Sequence, residues 1–202
     1  MRIDDFKNAL QGGGARGNLF RCRTTFPTAV GVGGFGGAGR AVEFMAKGAS
    51  IPASTVEPIE VQYRGRTLKI PGDRTFEAWT TTVYNDTNFN IRDSFEGWMN
   101  LIKSHSGNVG PTRLSEIFQD CFVDQLDRDG NVLKTYQFVD AYPSGLGAID
   151  LAADSSDVQT FDVTWTYQYW TTDVGGNRRK TTDSGRGGVG NVVQDILGGL
   201  GF

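Results

Sequence analysis

Apolar and polar residues alternate in runs along most of this chain, and in only three places do they fall at helical spacing. The longest alternation lies in 157–170. Phe161, Val163, Trp165, Tyr167 and Tyr169 make one face; Thr160, Asp162, Thr164, Thr166 and Gln168 make the other. A period of two with one apolar and one hydroxyl-rich side predicts a strand packed on one face and wetter on the other. The stretch 74–86 is dense in Thr and aromatic residues, which favour strands. There Phe76, Ala78, Thr80, Thr82 and Tyr84 point one way, and Glu77, Trp79, Thr81 and Val83 the other. Neither set is solvent-like, so both faces are expected to be covered. In 56–72, Val61 and Tyr63 share a face, as do Leu68 and Ile70, and the parity changes between the pairs. That change predicts a turn or bulge at Arg64-Gly65. Residues 116–143 predict a hairpin turning at Asp129-Gly130-Asn131. Residues 18–26 and 40–48 predict two more strands, joined by a glycine tract into a hairpin.

The strongest helical pattern is Ile91, Phe95, Trp98 and Ile102, widened by Met99. Asn90 is placed to cap it, with Asp93 answering as in a capping box, and Gly107 lies beyond its end. Ile3, Phe6 and Leu10 predict a short N-terminal helix with Asp4 and Asp5 in its first turn. Val189, Val192, Val193, Ile196, Leu197 and Leu200 predict a short amphipathic helix at the far end. A helix of that length is marginal alone and needs a partner surface. Before it, 173–188 is polar and Gly-rich. The chain therefore divides into a β domain over 1–170 and an extension over 171–202. The fold class read from pattern is mainly β, with one helix whose apolar face is buried.

Composition narrows the function. The chain has 202 residues and a formal charge of −3, with a pI near 5.2, so it is not a basic nucleic-acid binder as a whole. No apolar run approaches the roughly 20 residues that span a bilayer, so no membrane partner is expected. The N-terminus lacks the apolar core of a signal peptide, and folding in a reducing cytoplasm is expected. Cys22 and Cys121, the two cysteines, have no metal-ligand spacing and read as buried thiols.

Three patterns imitate chemistry. Gly31, Gly33 and Gly36 spell a dinucleotide fingerprint, but six of the nine residues 31–39 are Gly. Each glycine costs a helix about 1 kcal/mol, so the helix that such a site requires cannot open there. Asp129-Gly130-Asn131 resembles a calcium loop, yet the first and last loop positions would be Gln125 and Tyr136 instead of carboxylates. His105, the one histidine, sits in a "KSHSG" turn with no nucleophile elbow beside it. No catalytic residue, metal site or cofactor is expected, and a structural or binding role is favoured over catalysis.

Several segments in order are more specific than any one of them. "NLFRCR" at 18–23, "GASIP" at 48–52, "PGDRTFEAWTTTVYND" at 71–86, "FEGW" at 95–98 and "DVQTFDVTWTYQYW" at 157–170 resemble the tail tube family of T4-like contractile-tailed phages. In the third segment Gly72, Asp73, Arg74, Thr75, Phe76 and Trp79 fit the family pattern. The resemblance covers roughly 1–170. It implies an antiparallel β-sandwich or partly closed barrel with one flanking helix, and no active site. It also implies hexameric rings stacked into the inner tube of a virion tail, assembled in the host bacterial cytoplasm.

The implied partners are further copies of the chain, the surrounding sheath, baseplate and tube-initiating proteins, and a tail terminator. Genomic DNA is implied to pass through the bore without sequence-specific binding. From this frame Asp73, Arg74, Ile51, Pro52, Val192 and Ile196 are expected at subunit interfaces, and Thr160, Asp162, Thr164 and Thr166 on the lumen wall. Two alternatives stay open: a tube subunit of a related contractile injection or secretion particle, and a soluble β-sandwich binding module. The glycine tract is longer than the family's usual first connection, and the extension lies beyond the family core.

Overall fold

The two strongest strand patterns pair with each other, Trp79 opposite Trp165 and Val83 opposite Phe161, and the rest of the fold grows from that pair. A computed structural model describes residues 3–9, 14–30, 42–43, 45–154 and 156–174. Its elements are α1 (Ile3–Ala9), β1 (Phe20–Thr24), β2 (Ala46–Ala49), β3 (Ser54–Tyr63), β4 (Arg66–Phe76), β5 (Trp79–Tyr84), α2 (Asn90–Ile102), β6 (Gln119–Leu126), β7 (Val132–Leu146), β8 (Thr160–Thr166) and β9 (Tyr169–Val174). The main sheet has seven strands in the order β1-β6-β7-β8-β5-β2, with β9 also on β7, and every pairing in it is antiparallel.

The long β7 holds two half-sheets together. Its first half lies between β6 and β9; its second half, Tyr142–Leu146, pairs with β8. Between the halves Asp140 takes a left-handed conformation (φ 54°), and its backbone N–H donates to Asp120 Oδ1. The strand bends there, and the half-sheets face each other as a sandwich whose end strands β1 and β2 come close. This is the mainly β architecture with a flanking helix that the pattern and the resemblance predict.

The core between the half-sheets is aromatic. Trp79 stacks on Phe138 at 4.2 Å and lies 5.3 Å from Trp165. From α2, Phe95 and Trp98 meet Trp165 edge-on at 5.6 and 5.7 Å, and Trp98 donates its indole N–H to the Ile117 carbonyl. Ile91, Phe95 and Trp98 are buried, so the apolar stripe of α2 faces inward as its spacing predicts. A Cβ at Gly97 would come within 3.3 Å of Val30, which would have to shift by a few tenths of an ångström to admit it.

Five sequence expectations change. The cap of α2 is Asp86, whose carboxylate accepts from the Asn90 and Ile91 backbone N–H groups; Asn90 is already helical, so the Asn90–Asp93 box does not form. The segment 40–48 is not one strand: Val42 and Glu43 are helical and β2 begins at Ala46. Nor do β1 and β2 make a hairpin. They end the strand order on opposite sides, because β1 pairs with β6 and β2 with β5. The alternation of 157–170 breaks at Tyr167-Gln168, so Tyr169 begins β9 and is exposed while Tyr167 stays buried. The even face of β5 is half-buried; only Trp79, Thr81 and Val83 are fully covered. The glycine tract 31–39 and the extension beyond Val174 lie outside the described residues.

A charged row crosses the outer face of the first half-sheet. Asp124 is 1% exposed and accepts from Arg21, Arg23 and the Thr135 hydroxyl at 2.7–3.2 Å. Burial alone would raise its pKa, but the hydrogen bonds from Arg23, Thr135 and Arg21 outweigh it and hold the carboxyl below its usual range. A carboxylate held down in the folded state contributes stability that is complete above the unfolded pKa and is lost as pH falls through the folded one. Thermal melts are therefore expected to show an acid limb below the ordinary carboxylate range. Asp124→Asn should flatten that limb and lower the melting temperature at neutral pH. An acid limb identical in the variant would assign it to other carboxylates. Burial also pushes the Cys22 thiol up to about 12, and Cys121 upward too; both are free, buried thiols.

Candidate functional site

β2 runs into β3, and β4 into β5, so the two pairs β2–β5 and β3–β4 make one long ribbon. Ser50 N–H donates to the Thr80 carbonyl and Glu77 N–H to the Ala53 carbonyl, bridging the two parts. The base of the ribbon belongs to the main sheet. Its outer part, β3–β4, is a separate two-stranded sheet that projects as an arm of roughly 33 Å at ~3.3 Å per residue. The predicted turn is its tip: Arg64 and Gly65 both have positive φ, 46° and 80°, as a tight two-residue hairpin turn requires.

Register makes the arm two-faced. Ile59 pairs with Ile70 and Val61 with Leu68, beside Tyr63 at the tip; the opposite face carries Glu60 against Lys69 and Gln62 against Thr67. The apolar side chains Ile59, Val61, Tyr63, Leu68 and Ile70 are all between 42% and 65% exposed. A lone two-stranded hairpin is marginal in water, and a contiguous exposed apolar patch marks a contact surface. Nearer the base, Pro58 faces Pro71, and the register shifts between Val56 and Pro58. Gly72 sits at this bulge because a Cβ would come within 2.6 Å of the Glu57 carbonyl.

The second surface is the outer side of the half-sheet β7-β8-β5-β2. Thr164 pairs with Thr80, Asp162 with Thr82 and Thr160 with Tyr84. Asp162 and Thr166 are exposed, and Thr160 and Thr164 half-buried, while their odd-numbered neighbours fill the core. Thr82 donates to Asp162 Oδ1 at 2.6 Å, and Ser144 lies exposed beside them. Among the described residues β2 pairs only with β5, and Tyr142–Leu146 only with β8. The half-sheet thus has hydroxyl groups on one face and an unpaired margin at each side.

The other site residues fall in two places. Asp73 and Arg74 are exposed in the arm at the bulge, Arg74 opposite Val56, and they form no ion pair with each other. Ile51 is 38% exposed and Pro52 is buried, both in the link from β2 to β3. Val192 and Ile196 lie outside the described residues. Sequence reading missed the arm as a unit. The available signal was Val61 and Tyr63 facing Leu68 and Ile70 across a two-residue turn.

Among the described residues no catalytic grouping is assembled. His105 is exposed in the loop after α2. The Asp127 carboxylate accepts from the Asp129 and Asn131 backbone N–H groups and from the Asn131 side-chain amide around their turn. Among the described residues no group of three or more His, Cys, Asp or Glu could hold a metal ion, and no helix is long and apolar enough to cross a membrane. A cleft of about 400 Å³ beside α2 has Asp93 as its one titratable lining group among the described residues.

Comparison with known proteins adds three findings. A family model described as phage tail tube protein matches residues 15–173. The tail tube protein gp19 of Enterobacteria phage T4 is 31% identical over 173 residues, covering 84% of this chain and 99% of its own; the tail tube protein of Serratia phage KSP90 is 30% identical over 78% of this chain and 89% of its own. Among solved structures, the tube terminating cap of the anti-feeding prophage superposes with a TM-score of 0.59 at 16% identity, covering 80% of this chain and 92% of that one. A chain of the sheath–tube complex of an extracellular contractile injection system does so at 0.56 and 14% identity, over 83% and 97%. At such identities these structures share the fold.

Proposed function

Since this chain belongs to the phage tail tube protein family, we propose that its copies close into hexameric rings, and that the rings stack into the inner tube of a virion tail through which the genome leaves. The observation that carries this reading is the half-sheet β7-β8-β5-β2: four strands, unpaired at both margins among the described residues, with hydroxyls on the face away from the core. Four strands from each of six copies make a barrel of ~24 strands, roughly 48 Å across between backbones at a tilt of about 40°. With side chains inside, that bore still admits a duplex. Closing the ring removes the free margins, which are otherwise an aggregation hazard.

The arm then lies on a second copy and supplies the contact between subunits, with Asp73, Arg74 and Ile51 near its root. The sheath surrounds the tube, a baseplate complex starts it and a terminator ends it. The domain division stands as part of the same reading: a tube domain to about residue 170, then an extension whose Val192 and Ile196 dock on a neighbouring surface.

The lumen wall in this reading is Thr160, Asp162, Thr164 and Thr166 with Thr80 and Thr82. Hydroxyls and Asp162 dominate this wall and hold phosphates weakly, although Lys47 lies over the Tyr84 ring on the same side. Negative-stain imaging of the purified protein tests the assembly: rings or hollow rods are expected, and lone subunits at all concentrations would defeat it. Asp162→Lys in the assembled particle tests the wall. It is expected to leave rod length unchanged and to slow DNA release severalfold, whereas unchanged release would move the lumen to another face.

A further inference from the structure

The arm leaves the body at Glu77 and Ala78, the two residues between β4 and β5. In an unbroken strand, residues three apart lie on opposite faces. Here Phe76 and Trp79 both reach the core, so the backbone rolls over between them. The roll falls at two residues outside either strand, tied across the ribbon by the Glu77 N–H bond to the Ala53 carbonyl, and that bond alone leaves the angle between arm and body free to vary.

The corner between β8 and β9 grips it. Tyr167 donates its hydroxyl to the Glu77 carbonyl at 2.5 Å. Phe76 meets Tyr167 and Trp170 edge-on, each at 6.2 Å. Trp170 meets Tyr136 at 5.9 Å, and Tyr167 meets Phe138 at 5.1 Å. The corner is itself tied to β7, since Gln168 N–H donates to the Val139 carbonyl beside the bend at Asp140. The Trp170 indole N–H is buried and finds no acceptor among the described residues, while its ring packs on Phe76 and Tyr136.

We propose that Tyr167 and Trp170 form a clasp that fixes the angle of the arm, and are therefore positioning residues for the addition of one subunit to the next. The proposal rests on the reading that the arm docks on a second copy. A preset arm binds without the ordering cost that a swinging one must meet. Burial, with the Glu77 charge nearby, pushes the Tyr167 hydroxyl up to about 12, so the donor stays protonated at any physiological pH.

The test is Tyr167→Phe, which keeps the ring and removes the donor, with Trp170→Phe as the second variant should the first fold poorly. Amide exchange in 54–76 is expected to quicken while exchange in β5 and β8 stays as in the parent; a merely structural loss would loosen all three. The lowest concentration that supports tube growth should rise about 5-fold, the factor carried by a hydrogen bond of ordinary strength. Unchanged exchange in the arm together with unchanged growth overturns the proposal. Leu68→Asp separates it from its premise. If that variant grows tubes normally, the docking reading fails, and the exchange of 54–76 still decides whether the clasp holds the arm.

Discussion

Leu68→Asp is expected to abolish tube growth while leaving a folded subunit. Leu68 pairs with Val61 across the arm, and the two are 58% and 42% exposed. In the free subunit a charge there replaces an apolar group already in water, a change usually within about ±0.5 kcal/mol. In the assembled tube the same carboxylate would be buried against a neighbour with no partner for its charge, which costs roughly 3 kcal/mol or more. That is over a hundredfold in each association constant, repeated at every contact of the polymer. Sedimentation should show subunits only, with a melting curve close to the parent's. Thr67→Asp, one residue away on the polar face of the arm, is the control and should assemble. Equal growth by both variants would remove the apolar face from the interface.

The second large effect is expected inside the subunit. Trp165→Ala removes a ring that touches Trp79, Phe95 and Trp98 and donates to the Thr81 hydroxyl at 2.9 Å. It joins its own half-sheet to α2 and, through Trp79 stacked on Phe138, leans on the other half-sheet, so the cavity has no single wall that can collapse to fill it. Truncating a buried Trp costs about 3–5 kcal/mol, against a total of roughly 5–15 for a domain. A melting temperature lower by roughly 10 °C is the expected reading by circular dichroism. Thr166→Ala, on the exposed face of the same strand, should lie close to the parent. A drop of only a degree or two for Trp165→Ala would mean that the aromatic cluster does not tie the layers together.

Those two residues also mark how much the sequence discloses. Strands with one packed face, such as β8, announce themselves because every second residue meets the core. The stripe of α2 does so because Ile91, Phe95 and Trp98 return to one side. Turn chemistry was legible at Arg64-Gly65 and at 129–131. Partners distant in the chain were not. β1 lies beside β6 because Arg21 and Arg23 close on Asp124, about a hundred residues away, and alternation says nothing about such a neighbour.

The corner at Tyr167-Gln168 was hidden because the apolar pattern runs straight through it; only the pairing of β7 with both β8 and β9 reveals the break. Asp86 was overlooked as a cap because Asn90 offered a closer one. The arm was readable as a hairpin but not as a projection. Its apolar face looks the same in sequence whether the cover comes from its own subunit or from another.

Pro58 and Pro71, facing each other near the root of the arm, limit how that face can be used. Alternate residues of a ribbon turn their N–H groups outward, and at this level both outward positions lack one. A stray strand cannot zip along either margin past that point. A misplaced copy can form only a short ladder on one side of that point, which releases more readily than a full one. Growth can therefore correct its errors, and a crowded pool of unused subunits is guarded against setting into fibres.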